Sequence, residues 1–310
     1  MEELSVTEFD RDIGELELPA LKLMPPDSSL YEAILYFKDN RQGLIGIGDE
    51  GKMSGILTEW DVVHHFDPGI DPSDVKVSEL AIENPVTLYS ENTLYEVMNV
   101  MGRRNLPAFP VCDEDGKPKF IFNTEVLFHY LTSFFKDFLS TLGTKENWDP
   151  TKAVQAFTEG FSYSETMEDD SSLHQNYFLT PFERIPSSKL VKIDKSTTIK
   201  EAWTAIVEQK TEALVITDYG TKLVGILTPR DLIIKVLTQK GNVDLKSPVT
   251  EYMTSAPHSL MYKHPIGYGV NHFLKYGYKH MIVVDEDRIP LKVVSLLEIF
   301  SHLIDKVKLN

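Results

Sequence analysis

Cysteine is almost absent from this chain of 310 residues, where Cys112 stands alone. A single cysteine excludes an intramolecular disulfide, and no Cys or His stands around it at zinc-ligand spacing. Its place in the apolar run 109–112 predicts a buried structural thiol rather than a nucleophile. Long apolar runs are missing too. No stretch approaches the roughly 18 to 20 consecutive apolar residues that a membrane-spanning helix requires. The acidic start, Met1 to Asp10, lacks the charged and apolar regions of a signal peptide, so a soluble, cytoplasmic protein is expected. Basic residues are scarce: 31 against 47 acidic ones, for a formal charge of −16, which opposes binding to a nucleic-acid backbone or an anionic membrane. Any phosphate bound here must be held by a local cluster working against the overall field. No glycine-rich phosphate loop, nucleophile elbow, Cys-His pair or paired carboxylates can be identified, so no enzyme activity and no metal or redox cofactor is predicted.

What the chain does contain is a repeat. A helix start with the pattern apolar-x-acidic-small recurs at Leu30-Tyr31-Glu32-Ala33, Leu94-Tyr95-Glu96-Val97 and Ile199-Lys200-Glu201-Ala202, with a weaker copy at Ile266-Gly267-Tyr268-Gly269. Apolar residues at helical spacing follow, such as Leu94, Val97, Met98 and Met101, and define one buried face each. Next come two short β-type runs around an acidic turn: Asp49 to Lys52, Asp113 to Gly116, Asp218 to Thr221 and Asp285 to Arg288. A second helix then begins near Asp61, Glu125, Asp231 and Glu298. From first-helix start to that acidic residue the spacing is 31, 31, 32 and 32 residues. The acidic residues lie 64 apart in the first pair and 67 in the second, but 106 apart between pairs, so the chain reads as two modules of two repeats.

A βαββα unit of this length, paired in tandem, resembles the CBS domain, and two such (Bateman) modules are similar to the gamma subunit of AMP-activated protein kinase and its four-repeat bacterial relatives. The residues that carry the likeness are Gly55-Ile-Leu-Thr58-Glu-Trp-Asp61 and Gly225-Ile-Leu-Thr228-Pro-Arg-Asp231, with Ala108-Phe-Pro-Val111 and Ala213-Leu-Val-Ile216. The expected fold is α+β: four βαββα repeats in two pseudo-symmetric pairs. The resemblance implies sheet-to-sheet packing within a pair, two clefts per pair for adenosyl ligands, and a Thr-x-x-Asp motif whose hydroxyl meets phosphate and whose Asp binds the ribose diol.

The same motif is also an N-terminal capping box, with Thr58 and Thr228 as N-caps, Pro229 at the first helical position, and Leu57 with Val62 and Leu227 with Leu232 as hydrophobic staples. A reciprocal box favours the longer Glu or Gln. Asp61 and Asp231 are therefore expected to reach back poorly and to remain open to ribose hydroxyls. Ser295-Leu-Leu-Glu298 fits the plain cap, and Phe122-Asn123-Thr124-Glu125 has lost the hydroxyl, so the second and fourth clefts are the weaker ones. Just before each second strand, Arg41, Arg104 and Lys210 align where the family often carries a phosphate-contacting base, while the fourth repeat has Tyr276 and Gly277. Arg230 adds a base beside Asp231. Helix N-termini would supply free amides. The adjacent His64 and His65 point to different helix faces, which disfavours a metal site.

The segments expected are an acidic N-terminal stretch (1–17), a first CBS pair (18–132), a connector (133–186) and a second CBS pair (187–310). From Glu125 to Leu142 a helix with Leu127, Leu131, Phe134, Phe138 and Leu142 on one stripe should be buried, and 162–176 reads as a polar linker. The leading functional expectation is a regulatory sensor of an adenine nucleotide (AMP, ADP or ATP) that acts on an unidentified protein. An empty-cleft adaptor scaffold is the alternative, and an unrecognised enzyme a third. Homodimerisation through module faces and completion of the assembly within one chain are both open.

Overall fold

The computed structural model describes residues 9–49, 51–130, 180–240 and 242–306. Four small sheets carry four repeats. The first repeat holds β1 (Leu23–Met24), helix Leu30–Asp39, β2 (Leu44–Asp49), β3 (Lys52–Thr58) and helix Glu59–His65, and closes with the edge strand β4 (Ile82–Glu83). The second has β5 (Leu88–Tyr89), helix Leu94–Arg104, β6 (Ala108–Cys112), β7 (Pro118–Asn123) and a helix over 124–130. In the third come β8 (Lys192–Asp194), helix Ile199–Gln209, β9 (Leu214–Asp218), β10 (Lys222–Leu227) and a turn-rich helix from Pro229 that passes through a π segment, Leu232–Val236, to a 3-10 turn at Leu237–Gln239; β11 (Thr254–Ser255) is its edge. The fourth holds β12 (Ser259–Met261), helix Ile266–Tyr276, β13 (His280–Val284), β14 (Pro290–Ser295) and helix Leu296–Lys306.

The sheet topology repeats with the sequence. In every unit the first strand runs parallel to the second, as in Leu23↔Gly46 and Leu88↔Val111, and the hairpin that follows is antiparallel. Each hairpin also shifts register near its tip, at Ile47/Gly48, Val111/Cys112, Leu223/Gly225 and Val283/Val284. That shared bulge strengthens the local twist of each strand pair. The recurrent acidic residue of the first helices has a local cause. Glu32, Glu96 and Glu201 are the third helical residues of reciprocal capping boxes with Ser29, Thr93 and Thr198. The fourth helix instead begins after Pro265 without a side-chain cap. Its Gly269 serves packing, because a Cβ there would stand 2.4 Å from Cζ of Phe182, which is fully buried.

Burial joins the repeats across the modules. The helices of the first repeat (Leu30, Ile34, Phe37, Val62, Val63) share one core with those of the third (Ile199, Trp203, Ile206, Leu232, Val236). A second core joins the second repeat (Leu94, Val97, Met101, Phe128) to the fourth (Ile266, Phe273, Leu297, Phe300). Within the second pair the sheets meet through Ala213, Val215, Ile226, Ile282 and Val284, and within the first pair β2 touches β6. The helical faces of one module are thus covered by the other inside a single chain. Leu127 and Phe128, the start of the long apolar stripe, are buried as expected, whereas Leu131, Phe134, Phe138, Leu142 and the predicted polar linker lie outside the described residues. Cys112 is buried, with its thiol pKa pushed up chiefly by burial.

Candidate functional site

Each Thr-x-x-Asp motif sits where a central strand hands over to a helix. Thr58 ends β3 and caps helix Glu59–His65; Thr228 follows β10 and caps the turn Pro229–Asp231. The expectation that Asp reaches back poorly is overturned. Asp61 Oδ2 accepts from the Thr58 amide at 3.0 Å and from its hydroxyl at 2.6 Å, and the Asp61 amide donates to Thr58 Oγ1 at 3.2 Å. Asp231 makes the same box, accepting at 2.9 and 2.8 Å. The reason is backbone geometry. The Glu boxes have cap φ values of −71°, −73° and −75°, but Thr58 and Thr228 are more extended at −117° and −119°. The rotation turns the cap amide towards the first turn, within reach of the shorter carboxylate.

The two Asp residues differ in their second oxygen. Asp231 Oδ1 accepts from Thr254 Oγ1 at 3.1 Å and pairs with Lys235 at 2.7 Å, so both its oxygens are held by protein. Asp61 Oδ1 meets no donor among the described residues, although Asp61 is only 8% exposed. Burial raises the Asp61 pKa, against the lowering effect of the Thr58 hydrogen bonds and the nearby His65 and His64. The first-repeat turn therefore keeps an acceptor that the third-repeat turn does not.

The remaining turns are filled. Asn123 takes the lost hydroxyl's place, its Oδ1 accepting from the amides of Glu125 (3.0 Å) and Val126 (2.9 Å). In the fourth repeat Glu298 Oε2 accepts from the Ser295 amide at 2.7 Å, while Oε1 accepts from both the amide and, at 2.7 Å, the hydroxyl of Ser188. The plain cap expected there is present, with an added strap from Ser188.

The three aligned bases, Arg41, Arg104 and Lys210, do not share one structural position. Lys210 is itself the left-handed C-cap of helix Ile199–Gln209, with φ 48°. Arg104 is the last residue of helix Leu94–Arg104, before the C-cap Asn105, and Arg41 follows the C-cap Asn40. The sequence alignment counted back from the strands, and the unequal turns between helix and strand shift the bases against each other. Arg41 reaches across to the carbonyl of Gly277 in the fourth repeat at 3.5 Å. Arg230 crosses to the first repeat, where it pairs with Glu59 and lies 3.4 Å from the carbonyl of Asn40. The structure thus gathers Arg41, Arg230, Glu59 and the Asp61 turn around the first repeat and leaves Arg104 exposed elsewhere.

Glu59, Thr254 and Ser188 escaped the sequence reading; Lys235, four residues beyond Asp231 on a helical face, carried a legible signal. The two adjacent histidines diverge as expected: His64 is half-buried and stacks on Trp60 at 3.7 Å, while His65 is exposed. Among the described residues no three His, Cys, Asp or Glu side chains come together as a metal set. A cavity of about 620 Å³ borders β3 upstream of Thr58, lined by Met53, Ser54, Gly55, Asn84, Pro85 and Thr87 among others. Another, of about 370 Å³, lies between Gly14, Ser90, Asp113 and Lys119.

Four βαββα units, each with a capped strand-to-helix turn beside its sheet, define a tandem-repeat α+β protein. The CBS domain model matches residues 13–67, 77–120 and 182–238, and the chain belongs to the CBS-domain family. CBS domain-containing protein CBSCBSPB3 of Arabidopsis thaliana is 21% identical over 96% of this chain and 53% of its own length. CBSCBSPB1 of the same plant is 29% identical over 40% of this chain and 22% of its own length, so the alignments leave much of these relatives uncovered. Among solved structures, protein MJ1225 of Methanocaldococcus jannaschii, a candidate archaeal homologue of g-AMPK, superposes with a TM-score of 0.64 at 13% identity, covering 93% of this chain and 98% of that one. That likeness bears on the fold. No helix among the described residues is long and apolar enough to cross a membrane.

Proposed function

We propose that this chain is a non-catalytic regulatory protein of the cytoplasm that binds an adenosyl nucleotide, with AMP, ADP and ATP the expected ligands, in the cleft of its first repeat. The observation that carries this reading is the half-used carboxylate of Asp61. One oxygen closes the helix cap and the other is an acceptor without a donor among the described residues. Vicinal ribose hydroxyls are donors, and a charge-assisted bond to a buried carboxylate is worth about 1.5 to 3 kcal/mol. The 620 Å³ cavity supports the reading, since Gly55 on its wall precedes Thr58 by three strand residues, about 10 Å along β3. Bound ligand would act by preferring one arrangement of the repeats over another.

The scaffold reading is favoured for the other three turns, because Asp231, Asn123 and Glu298 are occupied by protein donors. A regulated protein partner belongs to the proposal, as does a homodimer through outer module faces, which sedimentation at several concentrations tests. Calorimetric titration with AMP, ADP, ATP and S-adenosylmethionine tests the central point. One binding event that weakens at least about tenfold in Asp61→Asn is expected; unchanged affinity in that variant rejects the site.

A further inference from the structure

The stretch ahead of each module docks on that module's second repeat in the same way. Ile13 and Phe182, both fully buried, open matching 3-10 turns: the Ile13 and Gly14 amides donate to the carbonyls of Asn92 and Ser90, and those of Phe182 and Glu183 to His264 and Tyr262. The hairpins match as well, since Val111 faces Phe120 where Val283 faces Lys292. Glu183 and Ile185 therefore correspond to Gly14 and Leu16, and Lys292 to Phe120.

In the fourth repeat the space between these elements is filled. Lys292 Nζ donates to the Ile185 carbonyl at 2.6 Å and to that of Glu183 at 3.3 Å, while Lys263 pairs with Glu286 at 2.5 Å and lies over the Tyr262 ring. In the second repeat Phe120, Glu91 and Ser90 stand in the places of Lys292, Lys263 and Tyr262, and a cavity of about 370 Å³ is left. Gly14 and Leu16 line it, and their carbonyls accept no donor among the described residues. Glu114, the counterpart of Glu286, also lines it and has no basic partner among the described residues. Leu16, Leu18 and Phe120 supply apolar walls that pack on the core. The segments that form the groove, 10–18, 90–91 and 113–120, carry eight carboxylates against Arg11, Lys117 and Lys119, a formal excess of five negative charges.

We propose that this second-repeat groove is a docking site for a protein partner, which inserts a lysine side chain where Lys292 lies in the fourth repeat. An ammonium is a donor only, and the groove offers what it needs: two backbone carbonyls equivalent to those that hold Lys292, and an acidic rim that offsets its charge. The apolar walls suit the lysine's aliphatic stem and an apolar neighbour on the partner chain, which favours a peptide segment over a free amine. The field of the rim speeds encounter with a basic partner and weakens with salt. The groove shares no residue with the Asp61 cleft, so the docking stands apart from the nucleotide reading.

The test is fluorescence anisotropy on the full chain with a short labelled peptide carrying two lysines beside leucines, and with its analogue in which glutamine replaces lysine. The lysine peptide should bind, and the analogue at least about tenfold more weakly. Glu114→Lys with Asp115→Lys, both in the exposed hairpin turn, should weaken the lysine peptide at least about tenfold, whereas Glu208→Lys with Glu251→Lys, an equal charge change at exposed sites elsewhere, should alter it less than about twofold. Phe120→Lys, which installs the fourth repeat's own ammonium, should block the peptide. Thermal melts verify that each variant is folded; if Phe120→Lys is not, the two double reversals decide. Absence of binding, equal losses from the two reversals, or undiminished binding by folded Phe120→Lys overturns the proposal. So does displacement of the peptide by n-butylamine at the concentration the peptide itself requires, which would make the groove a small-amine site. No nucleotide enters the assay, so a failure here leaves the Asp61 reading untouched.

Discussion

The indole Nε1 of Trp203 donates to the carbonyl of Val63 at 2.9 Å, a buried bond that ties the first helix of the third repeat to the second helix of the first. Both residues lie in the core that crosses the modules. Trp203→Phe would orphan that carbonyl and leave a void, at a cost of about 2 to 3 kcal/mol. Urea unfolding checks it; a change below about 0.5 kcal/mol would show the joint to be slack.

Asp61→Asn and Asp231→Asn should separate binding from stability. Asp231 loses its pairing with Lys235 and weakens its bond with Thr254, costing about 1 to 2 kcal/mol while leaving first-cleft affinity unchanged. Asp61→Asn relieves a buried charge and should cost under about 1 kcal/mol, yet weaken adenosyl binding. Paired denaturation and calorimetry on both variants would expose a reversal.

His272 sets an acid limit. It is 7% exposed, lies 2.7 Å from Tyr278 Oη through Nδ1, and has its pKa pushed down to about 4, first by burial and then by His258, Lys275 and His264. The unfolded imidazole titrates near 6.5, so between about pH 6.5 and 4 the unfolded chain binds more protons and stability falls with falling pH. The full loss from this group is up to about 3 kcal/mol, complete once both states are protonated. His64 and His264, both lowered chiefly by burial, act in the same direction. His272→Gln should flatten the difference in unfolding free energy between pH 7.5 and 5; an undiminished slope assigns it to other groups.

Gly269→Ala should destabilise by about 1 to 3 kcal/mol, because the new methyl meets the buried Phe182 ring at 2.4 Å. Combining it with Phe182→Leu should recover part of the loss. A double variant no better than the sum of its parts would show that the ring is not the obstacle.

The four-fold architecture was legible because three repeats carry the same local signals, a capped helix, a turn and a second cap at fixed spacing, and the fourth keeps the spacing although its first helix lacks a side-chain cap. The fate of the Asp side chains was not. Whether Asp231 keeps a free oxygen depends on Thr254, 23 residues downstream, the first residue of the edge strand β11. The Arg230–Glu59 pair, 171 residues apart, depends on how the modules face each other, which no local pattern encodes. The misjudged reach of Asp traces to cap φ values near −118°, a backbone property that the residue names conceal.

The order of the chain and the order of cohesion are different. Repeats one and two are joined covalently, but each shares its helical core with a repeat from the other half. The described residues of each core come from both sides of the stretch 131–179, so two fragments separated by a backbone cut in that stretch should hold together and copurify as a split protein. Expressed separately, each half would carry an uncovered apolar face, so either fragment alone should be poorly soluble and rescued by supplying the other.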